Sequence, residues 1–276
     1  MLAFQNYLKI SIEAAIRAGE KTLEYFDREM TIKTKEDCSP LTKADLESNL
    51  IINEILKPTG IPILSEENKI VPYKIRKEWK QFWMVDPLDG TKEFINKSPE
   101  YTVNIALIEN NKPVMGVIYV PVQKMLYYAT RNVGVFKVNA FSSLSLDLLF
   151  KNSISLPVKQ NSKNKIVVIA SKSHMSEETI DFINNLNKYQ IEYELASIGS
   201  SLKFGLLAEG LADIYPRFGP TMEWDTAAGQ AIAEAAKCHL INADDGEYLK
   251  YNKENLYNPS FIAYNENYNE IIRKII

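Results

Sequence analysis

Six residues with metal-ligating or proton-transferring oxygens stand out in this chain: Asp45, Glu66, Asp86, Asp89, Thr91 and Asp225. The densest group lies in Trp83-Met84-Val85-Asp86-Pro87-Leu88-Asp89-Gly90-Thr91, where a short apolar run delivers two carboxylates three residues apart into a turn. A hard cation such as Mg²⁺ takes oxygen ligands, usually one or two carboxylates per ion, with waters and substrate phosphate completing the octahedron. An Asp-x-x-Asp at a strand end suits that chemistry. Pro87 stiffens the turn, and Gly90 lets the backbone approach a ligand closely. Thr91 to Phe94 reads as the first turn of a helix, whose free N–H groups can hold phosphate oxygens. Glu66, in Ser65-Glu66-Glu67, follows a second short apolar run and can supply a third carboxylate, while Asp225 opens the Ala-rich segment Trp224-Asp225-Thr226-Ala227-Ala228-Gly229. Taken singly, each also has a plain structural reading. Asp86 and Asp89 are good turn formers, a Glu pair suits a solvated surface, Asp225 suits a helix N-cap, and Thr42-Lys43-Ala44-Asp45 suits a helix start.

The elements that must carry these residues follow from apolar periodicity. Phe4, Leu8, Ile12, Ala15, Ile16, Gly19, Leu23 and Phe26 recur at three- and four-residue steps, which predicts one long helix. Leu46, Leu50, Ile51 and Ile55 mark a second helix, ended by Pro58-Thr59-Gly60. Ile61 to Leu64 and Phe82 to Val85 read as short buried strands, the second ending on Asp86. Tyr101–Ile108, Val114–Val120, Met125–Ala129 and Val133–Val138, with an Asn110-Asn111 turn, predict an antiparallel meander. Residues 139–164 are polar and irregular, the best candidate for a subdomain boundary. Beyond them strands and helices alternate: strands at Ile166–Ala170, Ile191–Leu195 and Ala212–Tyr215, and helices at Glu177–Leu186, Ser200–Ala208 and Thr226–Ala236.

Composition narrows the function classes. With 276 residues, 46% hydrophobic and 24% charged, the chain has the make-up of an ordinary globular protein. A formal charge of −3 argues against a binder of long nucleic acid, which carries a basic excess. Cys38 and Cys238 stand far apart in no metal-binding spacing, so neither a disulfide framework nor a zinc site is expected. Lys9, Glu13 and Arg17 interrupt the N-terminal apolar face, which argues against a signal sequence or membrane span. A cytoplasmic location is the expectation, with peripheral association at the inner membrane left open.

Five of the six residues, all but Asp45, fall in an ordered compound signature: Glu-Glu, then Asp-Pro-Leu-Asp-Gly-Thr, then Trp-Asp-Thr-Ala-Ala-Gly. From the first helix to about Pro259 the chain resembles the lithium-sensitive, Mg²⁺-dependent phosphatase superfamily of inositol monophosphatase, fructose-1,6-bisphosphatase and 3'(2'),5'-bisphosphate nucleotidase. The wording VDPLDGTKEFI at Val85–Ile95, YTVNIALI at Tyr101–Ile108, SIGSSLKF at Ser197–Phe204 and YPRFGP at Tyr215–Pro220 is similar to the bacterial CysQ-type nucleotidases. The resemblance implies an α/β fold of the layered αβαβα sugar-phosphatase type. An N-terminal subdomain, 1–160, would hold an antiparallel sheet and most metal ligands. A smaller C-terminal α/β subdomain, 161–276, would hold Asp225 and the substrate-recognition residues.

The same resemblance implies roles residue by residue. Glu66, Asp86 and the Leu88 carbonyl would bind one Mg²⁺; Asp86, Asp89 and Asp225 would bind a second, with a third ion near Glu66 in some relatives. Gly90 and Thr91 would hold the scissile phosphate, and Asp45 with Thr91 would orient and deprotonate the attacking water. His174, Ser200, Lys203 and Arg217 match positions that contact the nucleotide in relatives. The implied reaction removes the 3'-phosphate of adenosine 3',5'-bisphosphate to give AMP, in sulfur assimilation and nucleotide recycling. The implied partner is that small bisphosphate, and both monomer and homodimer are compatible. Arg217 is the discriminating residue: a cation suits a second phosphate, whereas the inositol branch is expected to carry an acidic residue nearby. Two alternatives stay open, an inositol- or sugar-phosphate monophosphatase on the same scaffold, and a nucleotide sensor without turnover.

Overall fold

Apolar residues at helical spacing over the first 26 positions form α1 (Leu2–Phe26), which turns Ile12, Ala15 and Ile16 inward. The computed structural model describes residues 2–28, 33–34, 40–140, 145–157, 165–170, 176–189 and 191–276. A two-stranded ribbon, β1 (Lys33–Thr34) and β2 (Pro40–Leu41), leads into α2 (Lys43–Leu56). There Thr42 and Asp45 form a capping box; a 3₁₀ turn and the left-handed Gly60 end the helix. Then follow β3 (Ile63–Ser65), α3 (Tyr73–Arg76), β4 (Gln81–Asp89), α4 (Thr91–Ile95), β5 (Thr102–Glu109), β6 (Lys112–Val120), β7 (Met125–Thr130), β8 (Gly134–Asn139), α5 (Leu146–Lys151) and β9 (Ile154–Ser155). Strands β3 to β9 make one seven-stranded sheet in sequence order, parallel only between β3 and β4. Asn110 and Asn111, both at positive φ, close the β5–β6 hairpin.

The remaining elements are β10 (Ile166–Ala170), α6 (Glu177–Lys188), β11 (Tyr193–Ser197), α7 (Leu202–Glu209), β12 (Ile214–Arg217), α8 (Glu223–Ala235), β13 (Cys238–Asn242), β14 (Phe261–Asn265) and α9 (Asn269–Ile275). They build a five-stranded sheet in the order β11-β10-β12-β14-β13. Three buried clusters define five layers. Ile12, Ile16, Ile52 and Leu56 of α1 and α2 pack on Trp83, Val85, Val103 and Ile105. On the opposite face, Phe82, Met84, Ala106 and Ile118 meet Phe204 and Leu207 of α7 and Ala228 and Ile232 of α8, which in turn meet Ile169, Tyr215 and Phe261 of the second sheet. Outside that sheet, Phe182 and Leu186 of α6 and Ile272 of α9 cover Val168, Ile214 and Ile262. The order is therefore αβαβα. The Phe82–Val85 run of β4 is continuously apolar because both faces of the strand are buried there.

Small residues let α8 into the middle layer. A Cβ on Gly229 would lie 2.1 Å from the Phe204 ring, and one on Gly116 of β6 would lie 2.3 Å from the Ala228 carbonyl oxygen. The Ala-Ala-Gly after Asp225 is thus what brings its helix against both neighbours.

Three of the differences from the sequence-based expectation bear on the two large sheets. Strand β4 runs on through Asp86 to Asp89, with its register broken between the two. The polar stretch after residue 139 contains α5, and β9 adds to the edge of the first sheet by pairing with β8. Strands β13 and β14 had no expectation attached; β14 lies antiparallel beside β12, β13 lies antiparallel beside β14, and together they make the second sheet mixed.

Candidate active site

The register break in β4 is where the carboxylates gather. Asp86 is 1% exposed, and its Oδ1 accepts the Leu88 N–H at 3.1 Å. The Ser48 hydroxyl of α2 donates to the Pro87 carbonyl at 2.6 Å and fastens the turn from behind. Glu66 leaves the end of β3, the parallel neighbour, with its N–H on the Val85 carbonyl at 3.1 Å. Asp225 sits in the first turn of α8, where its Oδ2 accepts the Met222 N–H at 2.9 Å. Asp225 is therefore the third helical residue rather than the N-cap itself. Ligand oxygens of Glu66, Asp86 and Asp225 lie within 4.8 Å of one another. Asp89 stands beside this trio, and its Oδ2 accepts both the N–H and the hydroxyl of Ser201, each at 2.6 Å.

So many acids so close need a counter-charge. Burial, then the charges of Glu66, Asp89 and Asp225, push the Asp86 carboxyl well above the usual range, against the pull of the Leu88 N–H. Burial, then Asp89 and Glu66, do the same to Asp225, opposed by the Met222 N–H and Arg217. An oxygen-ligated divalent cation would remove both penalties at once. The donor set fits Mg²⁺: carboxylate oxygens from three separate elements, with no sulfur or imidazole among them.

Asp45 is 2% exposed at the start of α2. Its Oδ2 accepts the Thr42 N–H at 2.8 Å and the Thr42 hydroxyl at 2.5 Å, while Oδ1 accepts the Thr91 hydroxyl at 3.2 Å. The helix-start reading of Asp45 is therefore correct, and the same carboxylate also reaches the β4–α4 turn. Gly90 adopts φ +91°, a conformation open to glycine, and a Cβ there would press on Glu93 and Ser200 at 3.2 Å.

The second half contributes the opposite sign. Lys203 of α7 is 5% exposed; its Nζ donates to the Ile198 carbonyl at 3.2 Å and sits 5.1 Å from the centre of the Tyr215 ring. Burial pushes the Lys203 amine down to about 8; Asp89 opposes this, and neighbouring Arg217 adds to it. Arg217, at the end of β12, donates from Nη2 to the Pro220 carbonyl at 3.2 Å, and its buried Nε has no hydrogen-bond partner. Ser200 holds φ +48°, and its hydroxyl donates to the Glu100 carbonyl. His174 lies outside the described residues. Sequence reasoning passed over Ser201 and Asn104. The signal available for Asn104 was a polar side chain amid the apolar run of β5, where it is 1% exposed.

This chain belongs to the inositol monophosphatase family, whose model matches residues 4–275. Among curated relatives, the 3'(2'),5'-bisphosphate nucleotidase CysQ of Salmonella typhimurium is 41% identical over 254 residues, covering 90% of this chain and 96% of that one. The Escherichia coli K12 protein of the same name is 38% identical over the same share of both. The crystal structure of CysQ from Bacteroides thetaiotaomicron, a bacterial member of the same family, superposes with a TM-score of 0.87 at 45% identity, over 96% of this chain and 99% of that one. An inositol monophosphatase from Thermotoga maritima shares the fold, with a TM-score of 0.78 at 21% identity over 98% and 96% of the two chains.

Proposed function

We propose that this protein is a Mg²⁺-dependent 3'(2'),5'-bisphosphate nucleotidase that hydrolyses the 3'-phosphate of adenosine 3',5'-bisphosphate to AMP and phosphate. The observation that carries the reading is the meeting of Glu66, Asp86 and Asp225 within 4.8 Å, with the paired cations Lys203 and Arg217 nearby. Glu66, Asp86, the Leu88 carbonyl, Asp89 and Asp225 would hold two Mg²⁺ ions. Bound there, Mg²⁺ supplies a Lewis acid for the phosphoryl oxygens and lowers the pKa of water.

The chain's own groups do the rest. The Thr91 hydroxyl, held by Asp45 Oδ1, orients the attacking water, and Asp45 takes its proton. Gly90 and Thr91 offer backbone N–H groups to the scissile phosphate, since the left-handed Gly90 opens the first turn of α4. The reaction is an in-line displacement in which positioning and fixed charge supply most of the acceleration. The second phosphate goes to Arg217 and Lys203, with Ser200 and His174 completing the nucleotide contacts. The metal-rich half, 1–160, and the recognition half, 161–276, then act as two subdomains across the substrate.

Sulfur assimilation and nucleotide recycling are the proposed setting. Among the described residues no helix is long and apolar enough to cross a membrane. The test is phosphate release from adenosine 3',5'-bisphosphate, inositol 1-phosphate and fructose 1,6-bisphosphate with Mg²⁺. The nucleotide is expected to have the highest kcat/KM; preference for either sugar phosphate would overturn the reading.

A further inference from the structure

Ser201 touches both carboxylate-bearing segments from opposite sides of the site. Its N–H and hydroxyl each reach Asp89 Oδ2 at 2.6 Å, and the hydroxyl also lies 2.9 Å from the Asp225 main-chain carbonyl. Asn104 of β5 donates from Nδ2 to the Ser201 hydroxyl oxygen at 2.9 Å and reaches Asp89 Oδ2 at 3.4 Å. The orientation of the Asn104 amide follows from its neighbours, because a carboxylate oxygen accepts only, so the amino group must face it. With Asn104 donating to Ser201, the hydroxyl proton is directed to the shorter contact, Asp89. The order is then Asn104 N–H to Ser201 O–H to Asp89 Oδ2, in which each bond polarises the next.

Two features show that this arrangement is held at a cost. Asn104 Oδ1 is buried with no hydrogen-bond partner, a state that folded proteins rarely tolerate. Ser200 adopts φ +48°, outside the regions ordinary side chains favour, and this turn brings the N–H and hydroxyl of Ser201 onto one carboxylate oxygen. Ser201 and Asn104 are 2% and 1% exposed, so both are shut off from bulk solvent. The bonds that Asp89 accepts from Ser201 and Asn104 all fall on Oδ2, which leaves Oδ1 as the oxygen it can offer to a cation.

We propose that Ser201 and Asn104 are positioning residues: they set the rotation of Asp89 and its spacing from Asp225, and through these the affinity of the cation the two share. This rests on reading Asp89 as a cation ligand. Partners of metal ligands are typically worth about 10–100-fold in metal affinity. In Mn²⁺ titrations followed by electron paramagnetic resonance, Ser201→Ala is expected to weaken one class of sites by about that factor. Its Tm in EDTA should stay near that of the wild type, while the gain in Tm on adding Mg²⁺ shrinks. A residue that only supported the fold would lower Tm equally in both conditions. Asn104→Ala, which leaves α7 untouched, should shift Mn²⁺ binding in the same direction by less. In an Asp89→Asn background Ser201→Ala should cause no further loss, because the group it acts through is gone. Wild-type Mn²⁺ isotherms for Ser201→Ala or Asn104→Ala would overturn the inference alone, whereas a wild-type protein that binds no Mn²⁺ would overturn the metal reading beneath it.

Discussion

Thr91 and Asp45, 46 residues apart, meet through a 3.2 Å hydrogen bond from the threonine hydroxyl to Oδ1, while the other carboxylate oxygen caps α2. The side chain proposed as the base thus caps the helix with one oxygen and meets the threonine with the other, and the two roles can be tested apart. Asp45→Asn is expected to lower kcat by roughly 10²–10⁴-fold, the usual worth of a general base. Thr42→Ala, which removes the cap on the Ala44 N–H and the hydroxyl donated to Asp45 Oδ2 but leaves the Thr42 N–H and the Thr91 bond to Oδ1 in place, should cost about 1 kcal/mol of stability and lower kcat far less than Asp45→Asn. Steady-state kinetics beside thermal melts on the two variants check this; equal kcat losses would mean that Asp45 acts only by holding the helix.

Asp89→Asn keeps the shape of a side chain that already accepts two short bonds from Ser201. The variant is expected to fold normally, lose most of its activity and bind Mg²⁺ more weakly, by at least the ~10–100-fold that outer partners of a ligand are worth. Near-normal turnover at saturating Mg²⁺ would remove Asp89 from the metal set.

Arg217 separates a nucleotidase from an inositol phosphatase. If it pairs with the phosphate that is not cleaved, Arg217→Ala deletes a charge-assisted contact of roughly 1.5–3 kcal/mol, or about ten- to over a hundredfold in kcat/KM for the bisphosphate. Hydrolysis of a 2'- or 3'-monophosphate, which never had that contact, should be nearly unchanged. Equal losses on both substrates would assign Arg217 to the fold or the metal site instead.

Lys203 gives the site a pH dependence of definite sign. Its folded-state value, about 8, lies below its ordinary one. The buried charge therefore costs the fold stability that is lost as pH falls from the ordinary value through 8. A phosphate held by Lys203, as proposed, needs that same proton. For the bisphosphate, kcat/KM is expected to decline as pH rises past about 8, and Lys203→Arg, which stays charged, should flatten that decline. A wild-type profile that stays flat to pH ~10, where an ordinary lysine begins to titrate, would show that Lys203 does not hold an anion.

Gly229 tests the middle layer. A Cβ there would meet the Phe204 ring at 2.1 Å, so in Gly229→Ala the buried ring, or the helix α7 that carries it, must give way to α8. The expected cost is about 1–3 kcal/mol or more, seen as a fall of several degrees in Tm. Activity should fall further than stability does, since Asp225 lies one turn away on the same helix. A stable, fully active Gly229→Ala would mean that the spacing of the helices does not set the carboxylate geometry.

Local chemistry was enough to read several elements of the first half of the molecule from sequence, though not the run of β4 on to Asp89, α5 or β9. The 3.6-residue period of α1, the β-rich apolar runs and Asn-Asn turn of the β5–β6 hairpin, and Asp-x-x-Asp before Gly90 each depend on neighbours within a few residues. Asp86 and Asp89 could therefore be named together. That Glu66 and Asp225 join Asp86 within 4.8 Å is instead a product of packing: the parallel pairing of β3 with β4, and the small residues that admit α8 between the sheets. Tertiary structure alone also decided that Asp89 turns one oxygen to Ser201, that Asn104 stands behind that bond, and that β13 and β14 complete the second sheet. These relations join residues scores of positions apart, and pairings at that range are set by how whole layers fit, which no local run of the chain encodes.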